Sequence, residues 1–513
     1  MGLIVATVVP PPRDVTSTHC VYIRERGAMM SRYEEEEEAD ERERLLSSPR
    51  RGWTRTLWAD ETGPGVGVSP GPRARSPCRW LVLATLAAFA FMQGLARNAW
   101  LPVQDTAQAA GLFNDTDVAL LANWGAVGFS AFPFLAALLD KRGLRVSLLA
   151  SLFLLTTGCG LRCIPTDMND VRRWLIHSGQ LVIGMAGPVA LAAGPYLSTA
   201  WFPQDERTTG TAVGVLTSYL GGACAFLLEP LLVHMGSAPH PHDIDGQMRP
   251  PTLETPSEAL HRIQLLLYAE LVVVMALFLV VVLYFPAHPP VPPSISSATP
   301  RLGYCEAICR LLTRPWSWVA ILLYAVPLAV SIAWLKQLNC FLPHDKVSTT
   351  DAGWASLAAV VAGCAGSLVV ARFADYFTGQ LKVIVLTLLA GASIVSVWFT
   401  LSCLGLIPFL HFYKGNLLGT CVLFGACLVS AVPLLLELVV EATFPVPEGL
   451  SCGLAAFISV VAVGVPLNVL ISHFAEVTWL SWCLAGSCAC GVLGILLLPE
   501  TYNRLHLDVF LSV

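Results

Sequence analysis

Twelve times between Trp80 and Leu498 the chain runs through an almost purely apolar stretch and then breaks at a short polar gap. Each stretch is roughly 18 to 24 residues long, enough for a helix to cross a hydrocarbon core of about 30 Å with every backbone amide satisfied internally. The stretches fall at 80–99, 117–139, 145–164, 174–197, 210–233, 264–285, 316–338, 353–373, 381–404, 416–437, 450–472 and 477–498. The predicted fold is therefore an all-α membrane protein with twelve transmembrane helices. Composition agrees, because 55% of residues are hydrophobic and 13% charged, a balance that a water-facing surface on 513 residues would not tolerate.

Residues 1–79 differ in kind. They join "PPP", the acidic run "EEEEEADERE" and the Gly/Pro segment "TGPGVGVSPGPR", which predicts a disordered tail. The opening "MGLIVATVVPPPR" is too short to span and has no basic residue before its apolar part, which argues against a signal peptide. Within the tail, Glu41 stands four residues before Leu45-Leu46, an acidic dileucine pattern of the kind clathrin adaptor proteins use to sort cargo to lysosomes. A net charge of −5 on 513 residues, with its densest acids in that run, implies no nucleic-acid partner.

Basic residues set the orientation. With the N-terminus in the cytosol, cytosolic segments from Arg73 onward carry thirteen Lys/Arg and the opposite side nine, so both termini are expected in the cytosol. The sequon Asn114-Asp115-Thr116 then lies on the luminal side as a glycosylation candidate.

Two loops recur. "WFPQDER" at 201–207 returns as "TFPVPEG" at 443–449, placing Phe202 and Phe444 242 positions apart. "ALLDKRGLR" and "RFADYFTGQLK" place Asp140 and Asp375 235 positions apart. Two matching intervals predict a duplicated architecture: a six-helix bundle at 80–285, a cytosolic linker at 286–315 with flexible "AHPPVPPSISSATP", a second bundle at 316–499 and a cytosolic tail at 500–513. Asp140 and Asp375 are gating candidates, with Arg142 and Arg145 holding the loop in the cytosol and Gly143 permitting a tight turn. Glu206 and Glu448 follow Phe-Pro at helix starts, where an acid suits the helix dipole, and read first as structural caps.

A midplane binding site needs polar or aromatic groups facing a path through the bundle. Gln93, Asn98, Trp100 and Gln104 in and after the first helix, and Tyr324 and Trp334 in the seventh, are the substrate-binding candidates. Pro327 beside them is expected to break the seventh helix and free carbonyls. Trp and Tyr also serve as interfacial anchors, and this reading stays open for Trp100 and Trp334. Coupling to protons requires an ionisable group within the membrane. Glu270 in "LLLYAELVVV" leads, followed by His177, Glu229 and Glu437; Glu437 could simply pair with a base, and Lys336 be an interfacial charge.

No enzyme motif, phosphate-binding glycine loop or paired metal ligands occur, so neither enzyme nor cofactor is expected. Cys305 and Cys309 have helical spacing but no second ligand pair, the other cysteines lie mostly in apolar runs, and the histidines of "HMGSAPHPHDIDG" are too irregular to specify a metal site. A receptor or scaffold on a carrier fold is the reading from another class.

The Asp-basic-x-Gly-x-Arg loop after the second helix resembles the signature of the major facilitator superfamily, with Ala136 where its first glycine usually stands. "LLDKRGLR", "GLRCIP", "LSTAWFPQDER", "SYLGGACAFL" and "FPVPEGLSCG" resemble solute carrier family 49, the heme, choline and related metabolite carriers. The resemblance spans about residues 80 to 513, and the acidic Leu-Leu tail is similar to that of a lysosomal member. It implies the 6+6 pseudo-symmetric major facilitator fold and an electrogenic, proton-driven transporter in the lysosomal membrane, carrying pyridoxine from lumen to cytosol. Choline- and heme-type carriage is the alternative within the family. Those members place an aromatic residue in the first helix where this chain has Arg97, which argues against transferring their binding mode.

Overall fold

The computed structural model describes residues 77–513 except 101–102, 104–106, 109–112, 167, 235–255, 291, 339–348, 378, 404–413, 475–477, 501 and 511–513. The first bundle comprises α1 (Arg79–Asn98), α2 (Asp115–Val127 and Phe132–Arg142, joined by a 3-10 turn), α3 (Leu144–Cys163), α4 (Asn169–Met185 and Gly187–Trp201), α5 (Arg207–His234) and α6 (Pro256–Tyr284). A short helix α7 (Tyr304–Thr313) leads into α8 (Pro315–Lys336), α9 (Thr349–Tyr376), α10 (Leu381–Cys403) and α11 (Lys414–Thr443). Then follow α12 (Glu448–Phe457, Ile458–Val463 and Gly464–His473), α13 (Thr478–Leu497) and a last short helix α14 (Asn503–Phe510).

Eleven of these helices are long and apolar enough, over their described residues, to cross a membrane. The twelfth long helix is α5, whose first half is richer in Gly and Thr. The expected spans are recovered, with several ends displaced. The tenth runs from Lys414 to Thr443, beyond the expected limit at 437, so that Glu437 lies inside the helix together with Glu441.

Local breaks have local causes. Gly143 takes φ +83°, a conformation only glycine adopts cheaply, and this turns α2 sharply into α3. Pro188 starts the second segment of α4, and Pro466 follows the π-turn at Ile458–Val463 in α12, where a missing amide leaves the ladder to widen. The expected break at Pro327 is a correction: α8 is continuous through it, because one lost amide bond is tolerated where neighbouring helices enclose the backbone.

Small residues set the packing. α1 lies along α5 with Gly94 against the Ser218 carbonyl and Gly221 against that of Phe91; a Cβ at either glycine would collide with the facing backbone. Likewise α9 lies along α11 in the second bundle, with Gly425 against the Ala359 carbonyl. The bundles meet where α5 packs on α9 and α2 and α4 pack on α12. The linker is less loose than its Pro-rich sequence predicts, since Ile295–Ala298 forms a helical turn and α7 packs on α8.

Candidate functional site

At the end of the molecule that carries the two Asp loops, the bundles are tied together by crossed caps. Asp140, at the end of α2, accepts a hydrogen bond from the Gly449 amide at 2.9 Å, at the start of α12. Asp375, at the end of α9, accepts from the Thr208 and Thr209 amides at 2.8 and 2.9 Å and from the Thr209 hydroxyl at 2.6 Å, at the start of α5. Each bundle thus supplies the carboxylate that satisfies orphan amides of a helix in the other. Of the two Phe-Pro glutamates, Glu206 pairs with Arg79 at 2.8 Å and Glu448 with Arg301 at 2.5 Å. Arg142 is exposed, and Arg145 donates to the Val282 carbonyl at 3.3 Å.

The C-terminal helix closes this end further. Arg504 of α14 is buried against both bundles: it pairs with Glu437, pairs with Glu441 at 2.9 Å and donates to Thr199 Oγ1 of α4 at 3.0 Å. Burial opposes its charge, yet Glu437 and then Glu441 push its basicity above the usual arginine value, so it stays charged. Asp508 accepts from the Ser296 amide of the linker at 2.7 Å and pairs with Arg207 of α5 at 3.1 Å. Nearby, Lys141 lies 5.0 Å from the Tyr304 ring centroid, and burial followed by the charge of Asp140 pushes the Tyr304 phenol up.

Away from that end lies a central cavity of about 190 Å³, lined by both bundles. Tyr219 of α5 is part of its lining, and the Tyr219 hydroxyl meets that of Tyr324 of α8 at 3.1 Å across the interface. Arg97 and Asn98 from the last turn of α1 face it on one side, and Lys336, Ser459 and Asn468 on the other. Arg97 sits with its guanidinium carbon 5.2 Å from the Phe129 ring centroid.

Beside the cavity, inside the first bundle, Glu270 of α6 pairs with Arg162 of α3 at 2.5 Å, and both side chains are almost wholly buried. Arg162 also donates to the Ala96 carbonyl at 3.4 Å and to Gln180 Oε1 at 3.5 Å. Gln180 in turn donates to the Arg97 carbonyl at 2.7 Å. A polar path therefore runs from the buried carboxylate to the backbone of a cavity-lining residue. The second oxygen of Glu270 has no hydrogen-bond partner among the described residues.

The other sequence candidates scatter. His177 is buried with Nε2 3.8 Å from Asp117 Oδ1, and Asp117 also accepts from the amide of exposed Asn114, the cap of α2. Glu437 belongs to the closed end, where Arg504, Thr211 and Ser198 engage it. Of the binding candidates, Asn98 lines the cavity, while Tyr324 is buried behind it and touches the lining residue Tyr219. Trp334 does not: its indole donates to Ser481 at 3.1 Å and its ring packs on Phe399 and Phe424, so it belongs to the core of the second bundle. Gln93 and Trp100 are buried away from the cavity lining, Trp100 against Phe113. Gln104, the side chain of Glu229, and the tail residues Glu41, Leu45 and Leu46 lie outside the described residues. Arg162, Tyr219 and Arg504 were not singled out from the sequence; the available signal was that an intramembrane acid demands a buried base.

No group of three or more metal-ligating side chains occurs among the described residues. Two bundles of six helices, clamped at one end around a central cavity, define a carrier of the major facilitator kind. Residues 80–445 match the Major Facilitator Superfamily. The solved fucose:proton symporter FucP of E. coli superposes with a TM-score of 0.60 at 14% identity, covering 82% of this chain and 100% of that one. The proton:xylose symporter XylE gives 0.62 at 12% identity, with 84% and 99% covered. Within the superfamily the chain belongs to solute carrier family 49. It is 42% identical over 451 residues to the Solute carrier family 49 member 4 homolog of Xenopus laevis, covering 88% of this chain and 96% of that protein. The Choline/ethanolamine transporter FLVCR1 of Mus musculus is 27% identical over 403 residues, covering 75% and 68%.

Proposed function

We propose that this carrier is an electrogenic, proton-coupled secondary transporter that moves a small organic metabolite from lumen to cytosol across the lysosomal membrane by alternating access, with pyridoxine as the cargo to test first. The reading rests on one observation above the rest: the Arg162–Glu270 pair is buried inside the bundle and joined through Gln180 to Arg97 at the cavity. A proton arriving at Glu270 would cancel its charge, loosen Arg162 and shift the hydrogen bonds that hold the end of α1. Binding at the cavity and protonation inside the bundle would then bias the same two-state element.

Alternating access is supported by the asymmetry of the molecule, clamped at one end by Asp140, Asp375 and Arg504 and hollow towards the other. In this reading the clamped end faces the cytosol, as the bias of basic residues favours, and Asn114 is a luminal glycosylation candidate. The Glu41/Leu45/Leu46 pattern supports delivery to lysosomes through clathrin adaptors.

The test is uptake of radiolabelled pyridoxine by the Leu45→Ala/Leu46→Ala variant at the cell surface, with acid or neutral medium outside. Acid-stimulated uptake with an inward current is expected, and Glu270→Gln should flatten the pH dependence at equal surface abundance. A correctly placed protein that passes neither label nor current would instead support a receptor or scaffold.

A further inference from the structure

The cavity has a charge pattern that the transport reading leaves unused. Arg97 from the first bundle and Lys336 from the second both line it. No acidic residue is among the lining residues, and no ion pair involves either cation among the described residues. Asp351, one residue before lining residue Ala352, has an interaction of its own.

Two like charges facing one small space within a membrane are costly, and the cost falls when a negative group sits between them. The Ser459 hydroxyl supports the same polarity. It lies on the cavity wall at the π-turn of α12, 1% exposed as a residue, and has no hydrogen-bond partner among the described residues. Asn98 and Asn468 add amide groups, and Phe226 and Ile332 provide apolar wall for a carbon skeleton.

We infer that the central cavity takes a small organic anion, its oxygen group held between Arg97 and Lys336, and that it disfavours amines such as choline. The inference rests on the carrier reading but not on proton coupling, lysosomal placement or pyridoxine. An anion bound there would touch both bundles at once, so recognition and closure would share the same contacts.

The purified full-length chain in lipid nanodiscs provides the test, with thermal stability read against ligand concentration and no pH gradient. The probes are nicotinate, its neutral isostere nicotinamide, pyridoxal 5′-phosphate, pyridoxine and choline. At least one of the two anions should stabilise the protein, with nicotinamide and choline at least about tenfold weaker, since tenfold corresponds to only about 1.4 kcal/mol. Which anion acts separates a carboxylate from a phosphate ester. Lys336→Gln, a half-buried position in the last turn of α8, should cost the anion about tenfold or more and leave the unliganded melting point near that of the parent; Arg97→Gln should do the same if it folds. Choline or pyridoxine matching the anions, silence from both anions at millimolar concentration, or unchanged anion affinity in Lys336→Gln overturns the inference. Charge-dependent anion binding without acid-driven flux would remove the proton-coupled reading and leave this one standing. Acid-driven flux indifferent to Lys336 would do the reverse.

Discussion

Glu270 shows what a single charge inside a bundle requires. The residue is 4% exposed, and its carboxylate survives there because Arg162 meets it at 2.5 Å, with Gln180 and the Ala96 carbonyl holding the guanidinium in turn. Removing one partner strands the other, so Arg162→Met should lose about 3–5 kcal/mol of stability, whereas the double variant Arg162→Met/Glu270→Gln should recover much of it. Melting in detergent measures both, and a double variant no more stable than the single one would contradict the pairing. At this scale the sequence was half legible. An acid flanked on both sides by apolar residues announces itself, but its base lies 108 positions earlier and no spacing rule connects them. Residue type also misled: Trp334 and Tyr324 sit on one helix, yet one ring is core and the other reaches across the interface, a difference of helix face and register that residue type does not carry.

Among the elements, the crossed caps of α5 and α12 and the short α14 belong together. Capping one helix is worth about 1 kcal/mol, so Asp375→Asn should shift the balance between open and closed clamped ends by a factor of several without unfolding the protein. α14 adds charge-assisted contacts to Glu437, Glu441 and Thr199, so Arg504→Gln should shift it further. Cys452, wholly buried in α12 near this end, provides the reporter once the other cysteines are replaced. Its modification by a membrane-impermeant maleimide from the clamped side should speed up in both variants, and an unchanged rate would mean that these contacts do not guard the gate. The recurrence of Asp140 and Asp375 at matched spacing pointed to this end from the sequence. The role of α14 was hidden, because eight residues are too few to display a pattern; pairing of Glu437 with a base was among the readings, but nothing in the sequence named Arg504 as that base or Glu441 as its second partner.

For the whole molecule, the twelve-helix architecture was readable because it follows from two simple constraints, the thickness of a bilayer and the need to satisfy every backbone group within it. The cavity was not, since it is a property of how two bundles are set against each other. Changing Leu45 and Leu46 to alanine should move the protein from lysosomes to the plasma membrane, as imaging against a lysosomal marker would show; unchanged imaging would remove the dileucine pair from the sorting reading. Inserted epitopes should find both chain termini on one face, and opposite faces would contradict the pairing of the bundles. The docking of α14 also bears on how such measurements are made. Arg504 and Asp508 seat α14 on both bundles and on the linker, so a bulky label attached to this helix would load the clamp itself and lower flux on its own account. A label placed upstream of the Glu41/Leu45/Leu46 pattern leaves these contacts unloaded.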